Sequence, residues 1–228
     1  MMLYNLCMEK SLNESLVVLL SSNRLSSYCY GNVTYDIALE RYLYNIELSK
    51  ALYPVLSILE VSLRNRINDA IEKIIKQDWM LEELACQDIL LKSEYKKLQD
   101  AKNKLINKHK TITKENLIAE LSLGFWVHLC TKKYKTKLWH RKNFFRIVFA
   151  DYPNFSEFDK LSRVFPLLKL LLDLRNRIFH HEIILNNPLG VESCYYSMRK
   201  LLSYISQESL LYLDRICDFR EIIKKQKP

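Results

Sequence analysis

Residues 54–74 read PVLSILEVSLRNRINDAIEKI. Val55, Leu56, Leu59, Leu63, Ile67, Ala70, Ile71 and Ile74 recur at intervals that lay one apolar stripe along a helix turning about 100° per residue. Arg64, Asn68, Asp69 and Glu72 are read as the opposite, polar face. Pro54 heads the run, where its missing N–H costs nothing in a first turn. The stretch therefore predicts a long amphipathic helix starting at Pro54. A separate helix over 35–52 precedes it, marked by Ile37, Leu39, Tyr42, Leu43, Ile46 and Ala51.

Outward from this pair the same periodicity continues. Helices are expected over 8–20 and about 88–109. Thr113, with Asn116 three residues on, starts another that leads into 117–129 with Gly124 inside it. A lone glycine in such a pattern costs about 1 kcal/mol against alanine, so close packing or a break is expected there. Pro153 marks a loop. Ser156 then caps a helix that carries Asp159 in its first turn and runs to about Glu182, kinked or restarted at Pro166. A last helix covers about 191–218, ahead of the basic tail Lys224-Lys225-Gln226-Lys227. The chain holds only three glycines and five prolines. Many short strands need frequent turn residues, so this scarcity predicts an all-α fold. No linker interrupts the pattern, and 1–228 reads as one domain with a basic helical middle section at about 88–146.

Lysine and arginine number 35 against 26 aspartates and glutamates, a formal charge of +9. That excess favours polyanions, nucleic acid before an acidic membrane surface. Two runs concentrate it. Lys92, Lys96, Lys97, Lys102, Lys104, Lys108 and Lys110 crowd one helix, either as a solvated face or as RNA contacts. Lys132, Lys133, Lys135, Lys137, Arg141 and Lys142 stand beside Tyr134, Trp139, Phe144 and Phe145. Bases stack on rings while lysines hold phosphates, so this second run is the better RNA-binding candidate, unless its rings are core. The six cysteines are scattered, without zinc-ligand spacing, and read as small buried hydrophobes in a reducing compartment. No signal peptide or membrane span is evident, and a cytoplasmic protein without metal or other cofactor is expected.

Residues 174–182, LRNRIFHHE, carry the clearest chemical pattern: an arginine, a polar residue, three further residues, then histidine. Three segments accompany it in order: Arg24-Leu25 with Tyr28, LEVSLRN at 59–65, and ELSLGFW at 120–126. Phe165-Pro166 precedes the motif helix. Taken together, the chain from about Arg24 to the last helix resembles the Abi-like (abortive infection) branch of the HEPN superfamily of helical ribonucleases. The resemblance implies a HEPN-like helical bundle with additional helices, the motif near the C-terminal end of a long helix. It also implies dimerisation through the motif helix and metal-independent RNA cleavage in phage defence or as a toxin, restrained by an antitoxin or regulatory RNA. Carried over by position, Arg175, Asn176 and His180 are the catalytic residues.

The residues themselves support part of this. On an ideal helix Leu167, Leu171, Leu174 and Ile178 share the core face, and Asn176 and His180 are neighbours on the opposite one. Arg175 lies about 140° from His180. Either the helix ends or bends near Phe179, or each site borrows a residue from a two-fold partner. Arg177 is better aligned with both histidines, so Arg177 and His181 are additional candidates for catalysis or phosphate binding. Histidine can take the proton from a ribose 2′-hydroxyl or give one to the leaving 5′-oxygen. Guanidinium can hold the phosphoryl oxygens as charge builds. The run LRNRI recurs at 63–67 without a histidine, so the distinctive part is His180-His181-Glu182. Two rivals stand beside the ribonuclease: a catalytically silent HEPN module that binds RNA or protein, and a basic helical DNA-binding protein. No helix-turn-helix pattern favours the latter. If the two lysine-rich runs touch a nucleic-acid backbone, RNA affinity falls steeply from low to moderate salt as counterions are released. A flat salt response in a binding titration removes both runs from the interface.

Overall fold

The computed structural model describes residues 15–31, 33–156 and 159–224. Among them all regular structure is helical, which makes the fold all-α. A helical stretch at 15–20 and a short α1 (Ser22–Ser26) lead into α2 (Tyr35–Ile74). The chain then runs through α3 (Glu83–Ile89), α4 (Lys92–Asn107), α5 (Lys114–Glu120) and α6 (Leu123–Leu129). A 3-10 turn (Lys132–Tyr134) and a π turn (Lys135–Trp139) connect to α7 (Phe144–Val148) and α8 (Lys160–Phe179). Three helices close the order: α9 (Val191–Ile205), α10 (Ser209–Ile216) and α11 (Phe219–Ile222).

The spine is α2, 40 residues and so about 60 Å long. Against it pack α1, α6, α7, α8, α9, α10 and α11. The expected break at Pro54 does not occur: the proline lies inside one continuous helix. Its missing N–H strands the carbonyl of Lys50, at a cost of about 3 kcal/mol. Leu52, Val55, Leu56 and Leu59 are all at most 1% exposed. Each such burial contributes about 1.5–3 kcal/mol, so packing on both sides outweighs the defect. Pro166 is likewise interior to α8. Asn68 also departs from the expected polar face, because it is buried and its Oδ1 accepts a 3.0 Å hydrogen bond from Trp79 Nε1.

Other boundaries shift for local reasons. Thr113 caps α5, accepting from the Asn116 N–H at 3.2 Å, but the helix expected over 117–129 breaks at Leu121-Ser122 into α5 and α6. The break thus falls ahead of Gly124, which lies inside α6. Ser156 bonds Asn154 rather than capping, and Asp159 occupies the position before α8. The last expected helix is three, α9 to α11. Of the helix expected over 8–20, residues 8–14 lie outside the described residues, as do 225–227 of the basic tail. No helix of the described residues is long and apolar enough to cross a membrane. Cys86, Cys130 and Cys194 are free and buried, and burial pushes all three thiols up.

The basic middle section is held by one buried carboxylate. Glu94 of α4 is fully buried. It accepts from Ser93 Oγ at 2.9 Å, Tyr134 Oη at 2.9 Å and His128 Nδ1 at 2.5 Å. Tyr134 in turn accepts from the Leu91 N–H at 2.9 Å, so α4, α6 and the 3-10 turn are tied together. Burial alone raises the carboxyl's pKa, but the hydrogen bonds from Ser93 and Tyr134 and the nearby His128 outweigh it and hold Glu94 below its ordinary 4.5. A folded-state pKa below the unfolded one stabilises the fold fully above the unfolded value, and that contribution is lost as pH falls through the folded one. Glu94→Gln is expected to lower stability at neutral pH by about 1–3 kcal/mol. Thermal melts from pH 7 downward should show the gap from wild type closing in acid.

Candidate functional site

The motif sits where α8 ends, and the ending decides which side chains can meet. Leu161, Val164, Leu168, Leu171 and Leu174 form the buried stripe of α8, with Leu167 and Ile178 half-buried beside it. Helical geometry stops at Phe179, with His180 as the capping residue. The His180 N–H still reaches the Asn176 carbonyl at 2.9 Å. The His181 N–H then bonds the Ile178 carbonyl at 3.1 Å and the Glu182 N–H bonds the Arg177 carbonyl at 2.8 Å. This is the Schellman pattern, which requires a left-handed residue at the turn, usually glycine. Here that residue is His181, with φ of 57°. The helix end also gathers Arg177, whose Nε lies 3.7 Å from Glu182 Oε2.

The chain leaving this turn is fastened to the spine by Asn45. Its side-chain Oδ1 accepts from the buried Ile184 N–H at 2.8 Å, and its Nδ2 donates to the Glu182 carbonyl at 3.4 Å. Asn45 is 3% exposed in a heptad run of Ala38, Leu52 and Leu59, each fully buried. The sequence reading missed it. The available signal was a polar residue at a core position of an otherwise apolar repeat.

Arg175 and Asn176 open onto different depressions. Arg175 Nε donates to Glu60 Oε2 at 3.2 Å, and its guanidinium lies 4.4 Å over the Phe179 ring. This pair lines a cleft of about 190 Å³ together with Tyr53, Ser57 and Arg64. Tyr53 and Phe179, with ring centres 6.3 Å apart, also border a larger groove of about 870 Å³ that includes Arg24, Lys50 and His181. Asn176 and Arg177 instead face a hollow of about 560 Å³ with Asp173, Glu182 and Asn187. His180 is exposed at the helix end. The turn thus sets His181 on the Arg175 side of α8, while Asn176 and Arg177 look away from it.

The basic candidates lie in the section held by Glu94. Lys132, Lys133, Arg141 and Lys142 are exposed. Lys135 pairs with Asp159 at 3.7 Å, Lys137 Nζ donates to the Asp88 carbonyl, and Arg141 Nε donates to the Lys137 carbonyl at 3.4 Å. The rings beside them are core: Tyr134 and Phe144 are fully buried, and Trp139 and Phe145 are 7% exposed. Trp139 stacks on Phe149 and donates from Nε1 to the Leu129 carbonyl at 2.8 Å. They cannot serve as stacking platforms, which leaves this face as a set of point charges. In the first run, Lys97, Lys102 and Lys108 pair with Glu94, Glu83 and Glu120.

Among the described residues, no three His, Cys, Asp or Glu side chains gather as a metal site would need. No family model matches the chain, and no curated protein or solved structure matches it.

Asn45→Ala should cost about 1–3 kcal/mol by stranding the buried Ile184 N–H, with faster hydrogen exchange at that amide. His181→Gly should hold or raise the melting temperature, because glycine adopts the left-handed turn without strain. A large loss at His181→Gly would mean that its side chain, not its backbone, secures the turn.

Proposed function

We propose that the chain is a metal-independent endoribonuclease of the HEPN type, working as a homodimer in abortive infection or as a toxin. The observation that carries this reading is the end of α8. An arginine oriented by Glu60 and Phe179 stands one turn before two histidines, with His180 exposed and His181 bordering the adjoining groove. Leu43, Ile46, Tyr53, Phe179 and Ile216 are all at least 45% exposed, and four of them line or adjoin that groove. Monomeric proteins rarely leave a contiguous apolar patch of this kind uncovered. A second copy laid on it brings a second histidine turn to the same cleft.

In this arrangement one imidazole takes the proton from the ribose 2′-hydroxyl as that oxygen attacks the adjacent phosphorus. The other gives a proton to the departing 5′-oxygen. Arg175 holds the non-bridging oxygens while negative charge accumulates. The new bond is 2′-O–P, the broken one is P–5′-O, and the products are a 2′,3′-cyclic phosphate and a 5′-hydroxyl. Asn176 and Arg177, facing the other hollow, are then left to bind the flanking backbone or to hold the turn.

One observation favours the catalytically silent module instead: the Glu60 carboxylate already neutralises part of the Arg175 charge. Substitution separates the two readings. His180→Ala is expected to lower cleavage by about 10²–10⁴-fold with the melting temperature unchanged, since the residue is off the core. A silent module shows no cleavage in the wild type and equal RNA affinity in both proteins. End-group analysis of the fragments decides the chemistry. Cleavage by the proposed route survives excess EDTA and stops when the 2′-oxygen at the cut site is methylated. Products with 5′-phosphates, or activity that requires Mg²⁺, overturn it.

A further inference from the structure

The chain carries the run Leu-Arg-Asn-Arg-Ile twice, at 63–67 in α2 and at 174–178 in α8. The two copies share a register. Leu63 and Leu174 are buried, Ile67 is buried and Ile178 half-buried, so both runs turn the same positions to the core. The residue after each leucine falls at the edge of the packed face, and Arg64 and Arg175 line one and the same cleft. No histidine follows the first copy, yet the fold sets its arginine beside that of the motif.

The charges in this cleft are unevenly partnered. Arg175 donates to Glu60 and lies over the Phe179 ring. Glu60 also stands four residues before Arg64, the spacing at which helical ion pairs form. Its carboxylate is turned to Arg175 instead. Among the described residues Arg64 has no hydrogen-bond or ion-pair partner, and of its three guanidinium nitrogens only Nε is shielded from solvent. Glu60 is the one carboxylate in the lining, so two guanidinium groups leave a positive charge in excess. Like charges brought to one cleft repel each other, a cost that an anion between them offsets. The cleft holds about 190 Å³, below the range of small-molecule sites, and suits a single phosphate group rather than a whole nucleotide.

We propose that Arg64 and Arg175, the first arginines of the two runs, form a clamp for one phosphodiester group of single-stranded RNA. A phosphodiester presents two non-bridging oxygens, and a planar guanidinium meets such a pair in fork geometry. Arg175 shares its donors with Glu60, whereas Arg64 offers its terminal nitrogens unshared. The identity of the anion as RNA rests on the ribonuclease reading. The clamp adds to that reading a substrate-holding residue from α2, outside the Arg-to-His motif.

The test is a binding titration of the full chain with single-stranded RNA carrying 2′-O-methyl groups throughout, so that affinity is read without cleavage. Arg64→Gln is expected to weaken binding about tenfold, the loss of a charge-assisted contact. It should also reduce the slope of log affinity against log salt by about 0.7. Arg66→Gln removes the same charge from the same helix outside the cleft, and should change affinity by less than about twofold. Arg64→Lys restores the salt slope without the full affinity, since an ammonium is a point charge. Because both arginines hold one phosphate, the fold-losses of Arg64→Gln and Arg175→Gln should combine to less than their product. Equal losses at Arg64 and Arg66, or losses that multiply, overturn the clamp. Cleavage of unmodified RNA is followed separately. A cleaving wild type whose Arg64→Gln variant binds and cuts normally removes the clamp and keeps the ribonuclease, and Arg64-dependent binding without cleavage does the reverse.

Discussion

The side-chain amide of Asn45 is the constraint on which the arrangement of the motif depends. α8 delivers its arginines and histidines to the surface, and a helix end left to itself frays. Here Glu182 and Ile184, just past the turn, are bound to the first third of the spine by an amide that acts as donor to one and acceptor to the other. The left-handed conformation of His181 is sustained in this way: two Schellman hydrogen bonds close the turn from inside α8, and Asn45 anchors the chain from Glu182 to Ile184. Because the amide is buried, its bonds face little competition from water, and losing either leaves a polar group stranded in the core. The direction in which the chain leaves α8 also bears on where α9 begins.

A second consequence concerns charge. α2 supplies Glu60, Arg64, Lys50 and Tyr53 to the neighbourhood of the motif, so the site is built from two helices far apart in sequence. Glu60 orients Arg175 while Phe179 covers its planar face, an arrangement suited to guanidinium more than to an ammonium. The same carboxylate weakens the local positive field. Any anion in this cleft would compete with that carboxylate for the Arg175 guanidinium.

The basic section is organised on a different plan. Its centre is a carboxylate with no solvent exposure, surrounded by a serine, a tyrosine and a histidine. Lysines occupy the outer faces; Lys108 pairs with Glu120, and Lys97 reaches the buried Glu94 itself. The aromatic residues among them turn inward and form the packing of α6, the π turn and α7. Charge outside and rings inside give a surface able to attract a polyanion at long range but without stacking platforms for its bases.

Much of this was legible in the sequence because helical periodicity is a short-range property. The apolar stripe of residues 55–74, the Thr113 cap, the core face of α8 and the all-α fold arise from spacing within a few turns. So does the motif itself, whose end near Phe179 was one of two alternatives that spacing left open. The features that spacing could not reveal depend on partners distant along the chain. Pro54 is helical because leucines and valines on both sides of it are buried by other elements, a gain larger than one lost hydrogen bond. Asn68 and Asn45 look like surface residues in isolation and are core residues because Trp79 and Ile184 need their amides. Tyr134, Trp139, Phe144 and Phe145 gave the same local pattern for a stacking surface and for a core, and only packing chose between them. The sequence by itself determined that the fold is helical, which residues are charged and where the histidines fall. The tertiary structure decided which of them face one another, because a contact such as Asn45 to Ile184, 139 residues apart, leaves no trace in a window of one or two helical turns.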